Sequence, residues 1–349
     1  MSTQLCYVSG RRDGLITTVR FDDKAETAEV VSRLNLGPKP MPLELNRERR
    51  LLRVATGADP LRVSTLKLLP DGSCQVLSEV NCPLSATYLS FTPDDRMAFV
   101  VSYHASRLAW APVWDNHLID DSAWHVEQVG EQPHCVQPAP DGRHIYVVEL
   151  GANRVQGFRV SDGELVADEQ IGVQFEHGTG PRHLVFDASG EHGYLIEELG
   201  GHIVHLTRDP DSGRLTVAER VPYSDRADDL RPGVHVPSGS TPSLDDQTLR
   251  HWGAELALDP QRHWIVASER RASTLNLQAL NDDGSFGARL DHVPTEKQPR
   301  GMGLIGDHHV IAGAELGDTA TIYRVDDQLE PVAEVEGLGG PVWFASIGS

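Results

Sequence analysis

One unit of sequence recurs six times along the chain, and this repetition limits the folds that are open to it. Each copy has a short apolar segment that often opens with proline, then a polar turn with Asp or Gly, then a segment rich in β-branched and aromatic residues. The six copies begin at Pro42, Pro83, Pro133, Pro181, Trp252 and Pro299. A repeat of about 40 to 50 residues with strand signals is typical of folds in which each unit is completed by its neighbours.

The spacing between copies is regular except at one place. The turns of the six copies lie at Arg50, Arg96, Arg143, Glu191, His263 and His309. Successive intervals are therefore 46, 47, 48, 72 and 46 residues. The long interval exceeds the others by about 25 residues, which matches segment 224–251. This segment is polar and rich in Pro, Gly and Ser, so we interpret it as an inserted loop.

The pattern within each copy predicts an all-β fold. Segments such as VQGFRV, HIYVVEL and TATIYRV are rich in β-branched and aromatic residues and are separated by turns such as PDG and NDDG. About four strands fit in each copy, as in a propeller blade. Three strand-like segments at the N-terminus and PVWFASI at the C-terminus supply four more strands. The sequence thus predicts one seven-bladed β-propeller domain, residues 1–349, with one blade closed by both chain ends. Two separate β-sandwiches are the alternative.

Charge and cysteine usage limit the partners and the compartment. Asp and Glu number 51 against 31 Lys and Arg, giving a formal net charge of −20. Such a chain would repel nucleic acid and anionic lipid, and no apolar run is long enough for a membrane helix. We therefore expect a small-molecule partner, with no nucleic acid and no membrane; the oligomeric state is left open. Four cysteines without a CxxC pair, and no signal-peptide pattern, predict a cytoplasmic protein with reduced thiols.

Familiar catalytic motifs are missing from the sequence. It contains no Walker A motif, no HExxH and no GxSxG, and GTGPRH lacks the third glycine of a dinucleotide-binding fingerprint. No histidine pair has a spacing that suits a metal site on a strand. We expect no cofactor and no metal, although carboxylates from separate copies could still converge in three dimensions.

Polar residues recur at two equivalent positions of the unit. The residue after the opening proline is His134, Arg182 or Arg300 in three copies. Where the second strand ends, the sequence has Glu149, Glu197 and Glu198, Glu269 and Arg270, and Glu315. In a propeller these positions meet at one mouth of the ring, where buried polar groups need water or a ligand. The alternative is structural, with Arg–Glu pairs that tie neighbouring blades together.

These motifs resemble a known family. The segments QPHCVQPAPDGRHIYVVELGANRVQGF, GTGPRHLVFDASGEHGYLIEELGGHI, WGAELALDPQRHWIVASER and KQPRGMGLIGDHHVIAGAEL are similar to those of seven-bladed propeller lactonases. That family includes bacterial 6-phosphogluconolactonases and the fungal carboxy-cis,cis-muconate cyclase. The resemblance spans nearly the whole chain and implies an active site of His134, Arg182, Glu198 and Arg270. One departure is Gln132, where the family often has histidine.

The resemblance implies hydrolysis of a sugar-type lactone, which could be phosphorylated or carboxylated. His134 would act as the base, Glu198 would orient it or exchange a proton, and Arg182 and Arg270 would bind a carboxylate or oxyanion. Glu149, Arg300 and Glu315 are expected to contact the substrate. The same residues also suit a cycloisomerase that opens or forms a lactone. A third hypothesis is a non-catalytic propeller scaffold.

Overall fold

The computed structural model describes residues 3–237, 249–261, 263–306 and 308–348. Within them the chain forms seven antiparallel sheets. One edge strand of each sheet, called its inner strand, contacts the inner strands of the two neighbouring sheets. Those contacts run through all seven sheets and back to the start, so the sheets form a ring of blades around a central axis. The predicted seven-bladed propeller is confirmed. Blades are numbered here by the order of their inner strands along the chain.

The chain begins with the outer part of blade 7 and then builds blades 1 and 2. The strands of blade 7 at this end are β1 (Thr3–Gly10), β2 (Leu15–Asp22) and β3 (Thr27–Asn35). Blade 1 consists of β4 (Pro40–Asn46), β5 (Leu51–Thr56), β6 (Arg62–Leu68) and β7 (Cys74–Asn81). Blade 2 consists of β8 (Tyr88–Phe91), β9 (Met97–Ser102), β10 (Arg107–Pro112) and β11 (His125–Gln128). A short 3₁₀ helix, Asp121–Ala123, precedes β11.

Blades 3 and 4 follow, and the outer strand of blade 3 is split in two. Blade 3 consists of β12 (Pro133–Pro138), β13 (His144–Glu149), β14 (Arg154–Ser161), β15 (Glu164–Ala167) and β16 (Val173–Gln174). Both β15 and β16 pair with β14, each along a different part of it. Blade 4 consists of β17 (Pro181–Phe186), β18 (His192–Glu197), β19 (His202–Arg208) and β20 (Leu215–Pro222). A second 3₁₀ helix, Arg226–Asp228, comes after blade 4.

Blades 5 and 6 and one final strand complete the ring. Blade 5 consists of β21 (Gly253–Leu258), β22 (Trp264–Glu269), β23 (Thr274–Leu280) and β24 (Phe286–Pro294). Blade 6 consists of β25 (Pro299–Leu304), β26 (His309–Ala314), β27 (Ala320–Val325) and β28 (Leu329–Val335). The last strand, β29 (Pro341–Gly348), is the inner strand of blade 7. The described residues include no helix that is long and apolar enough to span a membrane.

The apolar core lies between the faces of adjacent blades. The second strands of blades 1, 2, 3, 5 and 6 are buried at every position, because each has a neighbouring blade against both faces. These strands are rich in apolar residues for that reason, although β5 also buries Arg53. One cluster joins Phe99 of blade 2 to Val147 of blade 3, and another joins Phe21 of blade 7 to Ile311 of blade 6. The core is therefore a closed series of interfaces between blades.

Pairing of the two chain ends closes the ring. β1 is antiparallel to β29 along nearly its whole length, from Gln4 opposite Gly348 to Gly10 opposite Pro341. Phe344 of β29 packs in the cluster that joins blades 6 and 7. Closure removes the open sheet edges that would otherwise be exposed where the first and last strands meet.

The inner strands carry β-bulges near the same mouth of the ring. The register between the inner and second strand shifts between Pro133 and Cys135, so that His134 is the extra residue. Equivalent shifts place Arg182 and Arg300 as the extra residues of blades 4 and 6. A bulge redirects a side chain out of the alternating pattern of a strand. The residues that follow the opening proline therefore occupy a shared, irregular position in the blade.

The predicted inserted loop, 224–251, connects β20 to β21. Residues 238–248 of this segment lie outside the described residues, and the rest is anchored to blades 3 and 4. Gly233 donates its backbone N–H to the carbonyl of Leu199 at 2.8 Å. Gln132 Nε2 donates to the carbonyl of Val236 at 2.7 Å, and His235 Nε2 lies 2.7 Å from Gln132 Oε1. These bonds hold the start of the insertion over the bulged mouth of the ring.

Candidate active site

A cavity of about 600 Å³ opens at the bulged mouth of the ring. This volume is within the range of about 300–1,000 Å³ that is common for small-molecule sites. His134, Glu198, Arg270 and Arg300 contribute to its wall. The insertion covers one side with residues 233–236, 250 and 251, and Trp252 follows directly after it. The structure thus brings four of the seven predicted site residues to one cavity.

The strand register explains which residues reach the cavity. Glu149, Glu197 and Glu269 are equivalent, because each pairs with the residue that opens the inner strand of its blade. All three are buried. Because side chains alternate along a strand, the next residue points the other way. In blades 4 and 5 these next residues are Glu198 and Arg270, which line the cavity.

Two of the three equivalent glutamates, Glu149 and Glu269, bind backbone N–H groups of adjacent loops, whereas Glu197 contacts the His202 side chain on β19. Glu149 accepts the backbone N–H of Gly130 at 2.7 Å and forms an ion pair with Arg154. Glu269 accepts the N–H groups of Trp252 at 2.7 Å and Ala272 at 2.6 Å. The expectation that Glu149 contacts the substrate finds no support in this position, since its side chain is fully buried and absent from the cavity wall.

Glu198 connects two arginines from different blades. Its Oε2 accepts a hydrogen bond from Arg270 Nη2 at 2.8 Å and lies 3.1 Å from Arg182 Nε. The second contact is electrostatic, because Arg182 Nε does not have hydrogen-bond geometry toward it. Arg182 Nη1 donates instead to the carbonyl of Ala254. Arg182 is only 1 % exposed and lies behind Glu198, outside the cavity wall.

Trp252 fixes the position of Arg270. The guanidinium carbon of Arg270 lies 3.8 Å from the centroid of the Trp252 ring, in a cation–π contact. Trp252 Nε1 donates to Glu198 Oε1 at 3.1 Å, and Arg270 Nε donates to the Trp252 carbonyl at 3.2 Å. Arg271 lies against the same ring, at 4.8 Å. Trp252 therefore supports the arginine wall of the cavity through its ring, its indole N–H and its backbone.

His134 is part of a buried chain of polar groups. Its Nδ1 lies 3.1 Å from His183 Nε2, and His183 Nδ1 lies 2.8 Å from Glu255 Oε1. Burial lowers the pKa of His134 well below 6.5, and the charges of Arg182 and other arginines lower it further. Burial and Arg182 also lower the pKa of His183 to about 4. Both imidazoles are therefore neutral at pH 7.

The expected link between Glu198 and His134 is absent from the hydrogen bonds of the described residues. Glu198 binds Arg270 and Trp252, whereas the group that contacts His134 is His183. Both carboxylate oxygens of Glu198 therefore already accept a hydrogen bond, Oε1 from Trp252 and Oε2 from Arg270. The arrangement favours Glu198 as the group that orders the arginines.

Blade 6 supplies a second arginine cluster. Arg300 Nη1 donates to Glu315 Oε1 at 3.1 Å, and Arg11 of blade 7 binds the same oxygen. The positive charges of Arg300 and Arg270 outweigh the effect of burial and lower the pKa of Glu315. Arg11 and Arg300 line the cavity, and Glu315 holds them from behind. Glu315 is thus placed to position arginines, while Arg300 is placed to meet a substrate.

The charge of the cavity wall is opposite in sign to the net charge of the whole protein. Its lining includes six basic residues, Arg11, Lys39, Arg250, Arg270, Arg271 and Arg300. Glu198 is the one acidic residue among the described lining residues. The chain as a whole has a formal charge of −20. An anionic ligand is therefore attracted locally to a protein that repels it elsewhere.

Several residues of this site are absent from the sequence-based prediction. Trp252, His183, Glu255, Arg11 and Arg271 belong to the site through contacts between blades. The alternation within PRH, where a polar residue follows the bulged Arg182, could have suggested His183. Arg11 lies in a turn of the first strand pair, where the repeat pattern offers no signal. No group of three or more His, Cys, Asp or Glu among the described residues is arranged to hold a metal ion.

Comparison with known proteins agrees with the geometry. The family model described as "Lactonase, 7-bladed beta-propeller" matches residues 5–345. The chain belongs to this lactonase family. A 6-phosphogluconolactonase of Klebsiella pneumoniae is 27 % identical over 352 residues, covering 98 % of this chain and 95 % of the relative. Another, from Serratia proteamaculans, is 23 % identical and covers 98 % of each chain.

Solved structures of similar proteins share the fold. A periplasmic gluconolactonase of Pseudomonas aeruginosa matches with a TM-score of 0.82 at 21 % identity, and 99 % of each chain is covered. A protein from Lactobacillus plantarum matches with a TM-score of 0.83 at 21 % identity, covering 99 % of this chain and 100 % of that one. At this level of identity the similarity demonstrates the shared propeller, and this lactonase-family chain has the same ring over its full described length.

Proposed function

We propose that this lactonase-family protein hydrolyses a lactone that carries an anionic group. The observation that carries the proposal is the pairing, in one cavity, of a neutral His134 with an arginine wall made by Arg270, Arg271, Arg300 and Arg11. A lactone with a phosphate or carboxylate fits such a wall. The relatives named 6-phosphogluconolactonase make 6-phosphogluconolactone the first substrate to test.

The chemistry begins with a water activated by His134. The water oxygen forms a bond to the lactone carbonyl carbon while its proton passes to the imidazole. Negative charge then develops on the former carbonyl oxygen. A guanidinium of the wall, such as that of Arg270, stabilises this oxyanion through charge-assisted hydrogen bonds.

The second step opens the ring. The bond between the carbonyl carbon and the ring oxygen breaks, and the ring oxygen takes the proton from the His134 imidazolium. The product is a hydroxy acid, which loses its own proton and leaves as a carboxylate. The negative charge of this product is complementary to the arginines that hold the substrate. Because water attacks the lactone directly, no residue forms a covalent intermediate.

Substrate binding adjusts the base. The positive charges of Arg182, Arg300 and Arg270 contribute to the low pKa of His134 in the free protein. A bound anion offsets part of that positive charge and raises the pKa of His134 toward the operating pH. A general base works best when its pKa is near that pH. An anionic substrate thus strengthens the base that activates the water, whereas a neutral lactone does not change the pKa of His134 in this way.

The insertion gives the cavity a partly apolar side. Val234 and Val236 of the insertion, with Leu150 and Leu199, also line the cavity. The carbon skeleton of a lactone ring can contact this side while its charged group faces the arginines.

We place this activity in the cytoplasm, in keeping with four free cysteines, three of them buried.

An assay of the purified protein against paired lactones tests the proposal. The panel contains 6-phosphogluconolactone, its unphosphorylated analogue and a muconolactone, with acid release followed against the spontaneous rate. We expect the phosphorylated lactone to have the highest kcat/KM and His134→Gln to lose most activity. Arg96→Gln, an exposed arginine far from the cavity, serves as the control. Turnover of the muconolactone alone would favour cycloisomerisation, and no turnover of any lactone would reject the proposal.

A further inference from the structure

A chain of three polar side chains from three blades ends at the cavity. Glu255 of blade 5 contacts His183 of blade 4 at 2.8 Å, and His183 contacts His134 of blade 3 at 3.1 Å. Both histidines are almost fully buried, whereas the cavity wall includes His134. We propose that Glu255 and His183 are positioning residues that hold His134 in the tautomer with its proton on Nδ1. The inference rests on the proposed function only in giving His134 the role of base.

The order of protons along this chain follows from its first member. A carboxylate oxygen can only accept, so His183 must donate from Nδ1 to Glu255 Oε1. In a neutral imidazole the other nitrogen is then an acceptor, so His183 Nε2 accepts the proton on His134 Nδ1. His134 Nε2 is left unprotonated. This is the nitrogen that remains for a water or a substrate in the cavity.

Glu255 is held in place for this role. Its Oε1 also accepts the backbone N–H of Leu256 at 3.1 Å. Glu255 lies within the bulged part of β21, where the register shifts between Gly253 and Leu256. The bulge of blade 5 thus supplies a carboxylate to the neighbouring blade, just as the bulges of blades 3 and 4 supply His134 and Arg182.

One contact competes with this assignment and is weaker. Arg182 Nη1 lies 3.3 Å from His183 Nδ1, and a guanidinium can only donate. His183 Nδ1 cannot both donate to Glu255 and accept from Arg182. The contact to Glu255 is shorter by 0.5 Å, and Arg182 Nη1 already donates to the carbonyl of Ala254. The carboxylate therefore decides the tautomer, and the nearby arginine opposes a second proton on His183.

Aromatic packing fixes the planes of both rings. Tyr88 meets the His183 ring edge-on at a centroid distance of 5.3 Å, and Trp343 lies tilted against it at 5.8 Å. Tyr103 meets the His134 ring at 5.9 Å. A buried ring with such neighbours cannot flip without repacking several side chains. The two imidazoles therefore keep the nitrogen order that the carboxylate imposes.

The charged groups around His134 explain why the neighbouring His183 must be neutral. Arg182, Arg300 and Arg270 act on His134 from blades 4, 6 and 5, and His183 faces it directly. A protonated His183 would add another positive charge beside a base that must accept one. A neutral His183 orients His134 without adding positive charge, and a small shift of the His183 Nδ1 proton toward Glu255 can stabilise the His134 imidazolium.

Nitrogen NMR of the intact protein tests the tautomer directly. Protein labelled with ¹⁵N-histidine is examined near pH 7, and the signals of His134 are assigned by their loss in His134→Gln. We expect a protonated Nδ1 and an unprotonated Nε2. A protonated Nε2 in the wild-type protein would overturn the proposal, whether or not the protein hydrolyses any lactone. This measurement separates the inference from the proposed function.

Kinetics of three variants provide the second test. His183→Leu removes the acceptor of His134 Nδ1, so we expect kcat to fall at least about tenfold with KM within about twofold. His183→Gln keeps an acceptor oxygen and should recover part of kcat. Glu255→Gln should lower kcat less than His183→Leu and move the acid limb of the pH profile.

Tyr88→Phe is the matched control, because it keeps the ring that packs on His183 and leaves the relay intact. It should retain wild-type kcat. An unchanged kcat in His183→Leu, or equal losses in His183→Leu and His183→Gln, would overturn the positioning role. If His183→Leu does not fold, the tautomer of the wild-type protein and the Glu255→Gln profile decide the question.

Discussion

Glu198 Oε2 accepts a hydrogen bond from Arg270 Nη2 at 2.8 Å, and this bond joins the ends of second strands in neighbouring blades. The same glutamate is 3.1 Å from Arg182 Nε. Glu198 is 12 % exposed, whereas the two arginine side chains are 3 % and 1 % exposed. One carboxylate therefore compensates two buried guanidiniums, which leaves excess positive charge beside the cavity.

Arg270→Lys tests the planar guanidinium at the cavity wall. Lysine keeps the charge but cannot form both the Glu198 contact and the backbone contacts to Trp252 and Gly253. We expect kcat/KM for an anionic lactone to fall at least about tenfold, or ~1.4 kcal/mol. Steady-state kinetics with anionic and neutral lactones measure the difference. Arg154→Lys, at the Glu149 ion pair, is the control and should leave kcat/KM unchanged.

Arg182→Leu separates a structural from a kinetic role. Sequence reasoning alone would place Arg182 at the channel, where its replacement changes folding little. Its burial and its contacts to Glu198 and Ala254 predict the opposite. Breaking a buried ion pair typically costs about 3–5 kcal/mol, and Arg270 remains to compensate Glu198, so we expect the lower part of that range. Urea denaturation measures it, and a loss below 1 kcal/mol, on the order of an exposed pair, would contradict the buried geometry.

The pH dependence of kcat/KM reports on His134. Burial and arginine charge lower its pKa, so the neutral base persists below pH 6.5 and is lost only at more acidic pH. We expect the acid limb of kcat/KM to lie below pH ~6.5. Arg300→Gln removes one positive charge, which raises the pKa of His134 and moves the limb to higher pH. A limb that moves to lower pH in Arg300→Gln would exclude His134 as the group that titrates.

Ring closure can be tested at β29. Phe344 packs between blades 6 and 7 and is 7 % exposed. Phe344→Ala should cost about 3–5 kcal/mol of unfolding free energy, as is usual for buried phenylalanine. Removal of residues 341–349 takes away the whole inner strand of blade 7 and should lower the melting temperature further. An unchanged melting temperature after this truncation would show that the ring does not depend on the strand.

Metal independence remains a prediction for this protein. The proposed steps use His134 and arginine side chains and need no Lewis acid. Activity should therefore survive prolonged treatment with EDTA. Loss of activity that a divalent ion restores would assign a ligand role to carboxylates near the cavity, such as Glu198 and Glu315.

The propeller was predictable because its signals are local and repeated. Turn spacing and apolar second strands each indicate a blade without reference to distant residues, and the strand-like segments left over at the two chain ends add up to one more blade. The site was harder, because ELG occurs both at Glu149 and at Glu198 and suggests that they are equivalent. The strand pairing shows that Glu149 corresponds to Glu197 instead. Neighbouring residues on a strand point to opposite faces of the sheet, so an error of one residue places a side chain on the wrong face.

Contacts between blades explain the remaining omissions. Trp252 reaches Glu198 across 54 residues of sequence, and Glu255 reaches His183 across 72. No spacing rule within one repeat can identify such pairs. Counting from the residue that opens each inner strand gives a better rule. The sixteenth position after Pro133, Pro181 or Gly253 is a buried glutamate with a structural role. The residue that follows it lines the cavity.

The shared bulge position has a consequence for how this protein can be redesigned. The inner strands of blades 1 and 7 also shift register at this position, which Met41 and Pro42 occupy in blade 1 and Val342 occupies in blade 7. These two blades thus hold apolar residues in the slots where blades 3, 4 and 6 have His134, Arg182 and Arg300. Each slot interrupts the ladder between strands without belonging to the apolar clusters between blades. New side chains introduced at Met41 would reach the cavity and change the set of ligands that it can bind. The seven interfaces between blades, which hold the ring together, would not be altered.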